Sequence, residues 1–202
     1  ISGATTNNYT LQTVDTGKYI SFEVSPNDGI IMGISKESSF MGPIKTNQTI
    51  SFPSIPTKTY GDATFTLGDE KTDQGLTVTY TATDPNIVAI SGNQATILKA
   101  GSTTITASQA GNNQTNSAKN VQQTLLVTKT SLNITSQVTS KIYGATDPEF
   151  TVVYDGFVNG DDKSALGGTF VFKRGVGENV GTYPITGSGY TSNNYTINYI
   201  KG

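Results

Sequence analysis

The chain contains no cysteine, no histidine and no tryptophan. Without cysteine there are no disulfides, no thiol nucleophile and no thiolate zinc ligands. Without histidine there is no imidazole ligand and no histidine acid–base chemistry. Charge is also scarce, at 14% of residues with a net value of −2. That leaves no basic face for nucleic acid. No stretch approaches the roughly 20 apolar residues of a membrane-spanning helix, so no membrane insertion is expected. Ile1 leads directly into polar sequence with no leader-like apolar segment, so the chain reads as a mature or internal stretch of a longer protein. The strong helix formers Leu, Ala, Glu and Lys are sparse.

The mass of the chain lies instead in Thr, Ser, Asn and Gly, with ten tyrosines and eight phenylalanines. Thr and the aromatics favour strands, and Gly and Asn favour turns. A disordered chain would be richer in charge and poorer in such strand formers. An extracellular protein without cysteine points towards bacteria, although cytosolic proteins also lack disulfides. Five Asn-x-Ser/Thr sequons occur, at Asn8, Asn47, Asn113, Asn133 and Asn194. In so Asn- and Thr-rich a chain several arise by chance, so they are weak evidence for glycosylation.

Two markers repeat. Lys58-Thr59-Tyr60-Gly61-Asp62 matches Lys141-Ile142-Tyr143-Gly144-Ala145, 83 residues on. Gly17-Lys18-Tyr19-Ile20-Ser21-Phe22 recurs as Gly101-Ser102-Thr103-Thr104-Ile105-Thr106 and as Gly181-Thr182-Tyr183-Pro184-Ile185-Thr186, at offsets of 84 and 80. The common period divides the chain into a partial module over 1–45, a full module over 46–129 and a third over 130–202. Leu76, Val78, Tyr80 and Ala82 alternate with four threonines, the pattern of a half-buried antiparallel strand. Ile87 to Ile90 and Ala95 to Leu98 flank Ser91-Gly92-Asn93-Gln94, which predicts a hairpin. Thr124 to Thr128 closes the middle module. Phe150, Val152 and Tyr154 alternate, as do Tyr195, Ile197 and Tyr199, and so do Ile20, Phe22 and Val24. A short helical turn is expected at Ala165 and Leu166 and no long helix anywhere. The predicted fold is all-β, with tandem Ig-like antiparallel β-sandwich modules in an elongated array.

Asp15-x-Gly17-x-Tyr19-x-Ser21 resembles the tyrosine corner of Ig strands, where the phenol ties back to the backbone. Tyr80 to Ala89, with its Asp84-Pro85-Asn86 turn, and Ala100 to Ala107 resemble a bacterial Ig-like repeat. The third module is similar to the MBG domain of the YGX type, through Tyr143-Gly144, Tyr154-Asp155-Gly156-Phe157-Val158-Asn159-Gly160-Asp161-Asp162, Gly181-Thr182-Tyr183 and Thr191-Ser192-Asn193-Asn194-Tyr195-Thr196. The resemblance implies tandem modules of secreted or cell-surface bacterial proteins, often described as adhesins. It brings no catalytic residue with it.

Few residues are candidates for chemistry. The Asp155–Asp162 loop gathers three carboxylates and an amide, short of the six to eight oxygens that calcium prefers; a solvated turn is the better expectation. The adjacent pairs Asp69-Glu70 and Asp161-Asp162 do not face each other across a cleft as glycoside hydrolysis requires. An intramolecular lysine isopeptide bond would need a buried lysine in an apolar strand, and every lysine sits in polar sequence. Tyr80, Tyr154 and Tyr195 occupy strand positions suited to packing rather than sugar stacking. The recurring Tyr60 and Tyr143 suggest a structural part in fixing the first strand or a module junction. No catalytic, cofactor-binding or metal-binding residue is assigned, no cofactor is expected, and the chain is not expected to be an enzyme.

The expected role is that of a structural spacer or stalk in an extracellular or bacterial cell-surface protein, in a setting of adhesion. The alternative is an adhesin module that recognises carbohydrate or protein. Expected partners are neighbouring modules of the same parent, with extracellular carbohydrate or protein under the alternative. The third module lacks a counterpart of Gln123-Thr124-Leu125-Leu126-Val127 after Ile200. An apolar edge is therefore expected to stand open there, inviting strand addition or self-association.

Overall fold

The computed structural model describes residues 8–202; the first seven residues of the partial module lie outside the described residues. The described chain is almost entirely β. Its helical content is two single 3-10 turns, Thr13–Asp15 and Lys163–Ala165. The second falls at the turn expected from Ala165, and its first free N–H, that of Ser164, is capped by the Asp162 carboxylate at 2.7 Å.

The strands run in chain order as β1 (Glu23–Val24), β2 (Lys36–Glu37), β3 (Lys58–Thr59), β4 (Phe65–Thr66), β5 (Thr79–Ala82), β6 (Val88–Ser91) and β7 (Gln94–Ile97). They continue as β8 (Gly101–Ser108), β9 (Val121–Thr128), β10 (Thr130–Ser136), β11 (Val152–Asp155), β12 (Gly167–Arg174), β13 (Ile185–Thr191) and β14 (Tyr195–Ile200). They form five sheets: β1-β2, β3-β9-β8-β5, β4-β7-β6, β11-β10-β14 and β12-β13. The pairs β1-β2, β10-β11, β12-β13, β4-β7 and β6-β7 are antiparallel, whereas β3 lies parallel to β9 and β10 parallel to β14.

Alternation in the sequence becomes alternation in burial. Val78 and Tyr80 are buried while Thr77, Thr79 and Thr81 are exposed. In β9, Leu125 and Val127 are buried between exposed Thr124, Leu126 and Thr128. The predicted hairpin forms with Ser91 opposite Gln94. Gly92 has φ of 61°, the positive angle that a type II′ loop places at its first central residue.

The described chain gathers into two compact units. One holds the residues up to Pro53 with Gly68–Tyr80 and Thr106–Gln122; the other holds Ser54–Leu67, Thr81–Ile105 and Gln123–Gly202.

In the first unit Tyr80 packs edge-on against Phe52, centroids 5.2 Å apart, and its hydroxyl donates to the Asp69 carbonyl at 2.9 Å. Gly68 leaves room for it, since a Cβ there would lie 2.6 Å from the Tyr80 oxygen. The buried Gln48 donates to Gln109 Oε1 and to the Asn116 carbonyl. Two expectations fail here. Tyr19 forms no tyrosine corner: its ring is exposed, and the buried anchor is Asp15, whose Oδ2 accepts from the Gln12 N–H and the Tyr9 hydroxyl, each at 2.8 Å. In this unit Tyr80 makes a hydroxyl-to-backbone tie, and at the counterpart of Tyr19 in the third repeat Tyr183 does so, donating to the Asn179 carbonyl at 2.8 Å. The alternation of Ile20, Phe22 and Val24 buries no face either, for Phe22 and Val24 are exposed. Among the described residues strand β1 pairs only with β2, and a two-stranded ribbon by itself has no second layer to cover an apolar face.

In the second unit β13 packs across β10 and β14, which buries Leu132, Ile134, Ile185 and Tyr195. A chain of aromatic contacts threads this core: Phe150 to Phe172, Phe172 to Phe170, Phe170 to Tyr190, Tyr190 to Tyr154, Tyr154 to Phe157, Phe157 to Tyr195 and Tyr195 to Tyr60. Gly187 lies under the cluster, where a Cβ would come within 2.5 Å of Phe170. The packing role expected of Tyr154 and Tyr195 is met.

Candidate functional site

Two features of the second unit stand out, one at each end of the aromatic chain. At the first end the loop after β11 turns sharply. Gly156, at φ 111°, passes so close to the Ser131 carbonyl that a Cβ would lie 2.4 Å from the oxygen. Asn159 takes φ of 57°, as Asn tolerates better than most residues. This geometry delivers Asp161 to a pair of phenols: its Oδ2 accepts from the Tyr60 hydroxyl at 3.0 Å and from the Tyr195 hydroxyl at 2.6 Å. The Tyr195 oxygen also accepts from the Val158 N–H at 3.1 Å. The two rings meet edge-on with centroids 5.6 Å apart. Burial, and then the Asp161 carboxylate, push the Tyr195 pKa up to about 12.

The Tyr60 backbone is held as firmly. Its N–H donates to the Thr128 carbonyl at 2.9 Å, and its own carbonyl accepts from the Thr130 hydroxyl. Next to it Gly61, at φ 98°, faces Val158; a Cβ at Gly61 would lie 2.6 Å from Val158 Cγ2. The structural part expected of Tyr60 is therefore met. Tyr143 differs: its ring is exposed, and Gly144, at a similar φ of 81°, meets nothing within 4 Å.

The structure does not gather the loop carboxylates into a cation site. Asp161 faces the phenols, Asp162 caps the 3-10 turn and Asp155 is exposed. Among the described residues no group of three or more His, Cys, Asp or Glu is arranged to hold a metal. Asp69 and Glu70 are exposed.

At the other end lies a groove of about 450 Å³ between the segments 138–143 and 177–185. Val138, Ile142, Phe150, Val180, Tyr183 and Ile185 give it apolar walls. Val138, Ile142 and Val180 are largely exposed, as is the neighbouring Val176. A charged network crosses its rim. Lys141 Nζ contacts Asp147 at 2.7 Å and Glu178 at 3.0 Å; Arg174 reaches Asp147 at 2.9 Å and also pairs with Glu178. Lys141 holds both carboxyls below their usual range. The Arg174 guanidinium stands 4.9 Å from the centre of the Tyr183 ring. Exposed pairs of this kind contribute little to stability, so the network orders the rim without sealing it. Sequence reasoning named Lys141 only as part of the repeat marker and did not group the four residues, because 141, 147 and 174–178 are separate stretches of chain that only the fold collects.

Residues 132–202 match the family model described as the MBG domain (YGX type). An MBG domain of this type thus occupies the last third of the chain, where Tyr143-Gly144 and the Asp155–Asp162 loop pointed. No curated protein matches the chain. Among the described residues no helix is long and apolar enough to cross a membrane.

Proposed function

We propose that the chain is a non-catalytic structural segment of a bacterial cell-surface or secreted protein, built from Ig-like modules and serving as a spacer in an adhesion context. The observation that carries this reading is the tyrosine–aspartate clamp. Tyr60 lies far outside the MBG match, yet it is fastened to Asp161 and Tyr195 within it, and its neighbour Gly61 packs closely on Val158. One residue, Lys129, separates β9 from β10. A connection this short, with a hydrogen-bonded aromatic contact beside it, suits a segment that transmits position rather than one that opens and closes on a substrate. The MBG match supports a surface or secreted setting, and the absence of histidine and cysteine supports the non-catalytic part. The test is a screen of the whole chain against glycan arrays and extracellular-matrix proteins. A spacer gives no saturable binding. Saturable binding to one glycan or protein class would replace this reading with the alternative, an adhesin module for carbohydrate or protein.

A further inference from the structure

The connectivity of the second unit decides how it meets a pull along the chain. Strand β10 opens the third repeat at Thr130, and β14 is its last strand, ending at Ile200. The two lie side by side and parallel, with Thr130 opposite Tyr195 and Thr135 opposite Ile200. Tension along the chain draws β10 from its Thr130 end and β14 from its Ile200 end. For parallel neighbours these are opposite directions along one axis, so the strands can part only by sliding. All six register pairs then carry the load together. An antiparallel pair in the same place would be peeled from one end, one pair at a time.

Side chains reinforce the same seam. On its inner face the buried Leu132 and Ile134 stand opposite Ile197 and Tyr199, which keeps water from the ladder. On its outer face Asn198 Nδ2 donates to Ser131 Oγ at 2.8 Å and to Asn133 Oδ1 at 3.1 Å, two further bonds across the seam. Phenols pin β14 near both ends to elements other than β10. Tyr195 is tied to Asp161. The Tyr199 hydroxyl accepts from the Tyr190 N–H at 2.8 Å and donates to the Tyr190 carbonyl at 3.2 Å. On its other side β10 is held by β11 through four pairs. Each strand is thus fixed to its own side, and the seam between them is the line along which a pull acts. The arrangement recurs at β3 and β9, which are parallel with Lys58 opposite Val127 and Thr59 opposite Thr128. Only Lys129 separates β9 from β10, so tension passes from one parallel seam directly into the next.

We infer that the β10-β14 seam is a tension-bearing element, so that the chain acts as a tether that holds under load, with Asn198 sharing that load on the outer face. The inference deepens the spacer reading and rests on it. The test is single-molecule force spectroscopy on the whole chain. It has no native cysteine, so paired cysteines fix where the handles attach. Lys129→Cys with Lys201→Cys applies the pull in the sliding direction. Lys129→Cys with Asn193→Cys applies it at one end of the same seam, in the peeling direction. All three side chains are exposed, so the fold tolerates the handles. Sliding should need roughly threefold more force than peeling at the same loading rate, since six pairs yield together rather than singly. Forced unfolding reads the barrier rather than the equilibrium stability. Asn198→Ala should therefore lower the sliding force even where the melting temperature stays put. It should leave the peeling force within error, because peeling first breaks the pair of Thr130 and Tyr195. Equal forces in the two directions overturn the inference and leave the spacer reading, which the binding screen tests, in place. A sliding force unmoved by Asn198→Ala overturns the part given to Asn198.

Discussion

The Tyr60 hydroxyl and the Asp161 carboxylate meet at 3.0 Å although 101 residues separate them in sequence. Asp161 also receives the Tyr195 hydroxyl, so one carboxylate oxygen holds two phenols in an edge-on pair. Removing either hydroxyl leaves the carboxylate a partner, whereas removing the carboxylate leaves both phenols without it.

Tyr195→Phe should therefore cost about 1–3 kcal/mol, because the Val158 N–H loses its acceptor inside the core. Tyr60→Phe should cost less, about 0.5–1.5 kcal/mol. The double variant should depart from additivity, since both hydroxyls share Asp161. Urea unfolding of the four proteins measures this; strict additivity would show that the shared carboxylate does not couple them.

Gly61→Ala and Gly144→Ala form a matched pair. Both glycines have positive φ, so both substitutions carry the same kind of backbone penalty, about 1–3 kcal/mol. Only at Gly61 does the new methyl meet Val158. Gly61→Ala should be the more destabilising of the two by thermal melting, and equal losses would mean that the Val158 contact carries no energy.

Alkaline pH should unfasten the second unit. Burial pushes the Tyr154 and Tyr195 pKa values up to about 12, above the ordinary phenol value of 10.0. A pKa raised on folding means that the native state holds protons the unfolded chain has released. The stabilisation is complete below pH 10 and is lost as pH rises towards 12. Ultraviolet titration of phenolate should show a late class of tyrosines whose ionisation coincides with unfolding. Tyr195→Phe and Tyr154→Phe should shrink that class.

Neighbours in β9 should behave in opposite ways. Leu125 is fully buried and Leu126 is 47% exposed. Leu125→Ala should cost about 2–5 kcal/mol, and Leu126→Ala under about 1 kcal/mol. Comparable losses would show that β9 is covered on both faces.

Limited proteolysis should begin on the β1-β2 ribbon. Its connection carries exposed Ile30, Ile31, Met32 and Ile34, and Lys36 is exposed in β2. With few buried contacts such a segment opens locally at little cost. Trypsin followed by intact mass should show a first cut at Lys36, ahead of Lys58 and Lys129.

The sequence alone determined the all-β class, the hairpin around Gly92, the inward face of Leu76 to Ala82 and the MBG character of the last third. Each rests on local chemistry: a period of two, a glycine where φ must be positive, a motif of contiguous residues. It also marked Tyr60 through the repeat. Only the tertiary structure decided what each pattern faces. Ile20, Phe22 and Val24 alternate as cleanly as Phe150, Val152 and Tyr154, yet Phe22 and Val24 stand in solvent while Phe150 and Tyr154 join a core. Alternation assigns a strand its two faces, but burial needs a second layer, and that layer arrives from distant chain. The same holds for Asp161, which composition offered as a turn residue and the fold turned into the acceptor for two tyrosines. It holds again for the Tyr60 and Tyr143 markers, alike in sequence and different in environment because only the first has a strand and a loop packed against it.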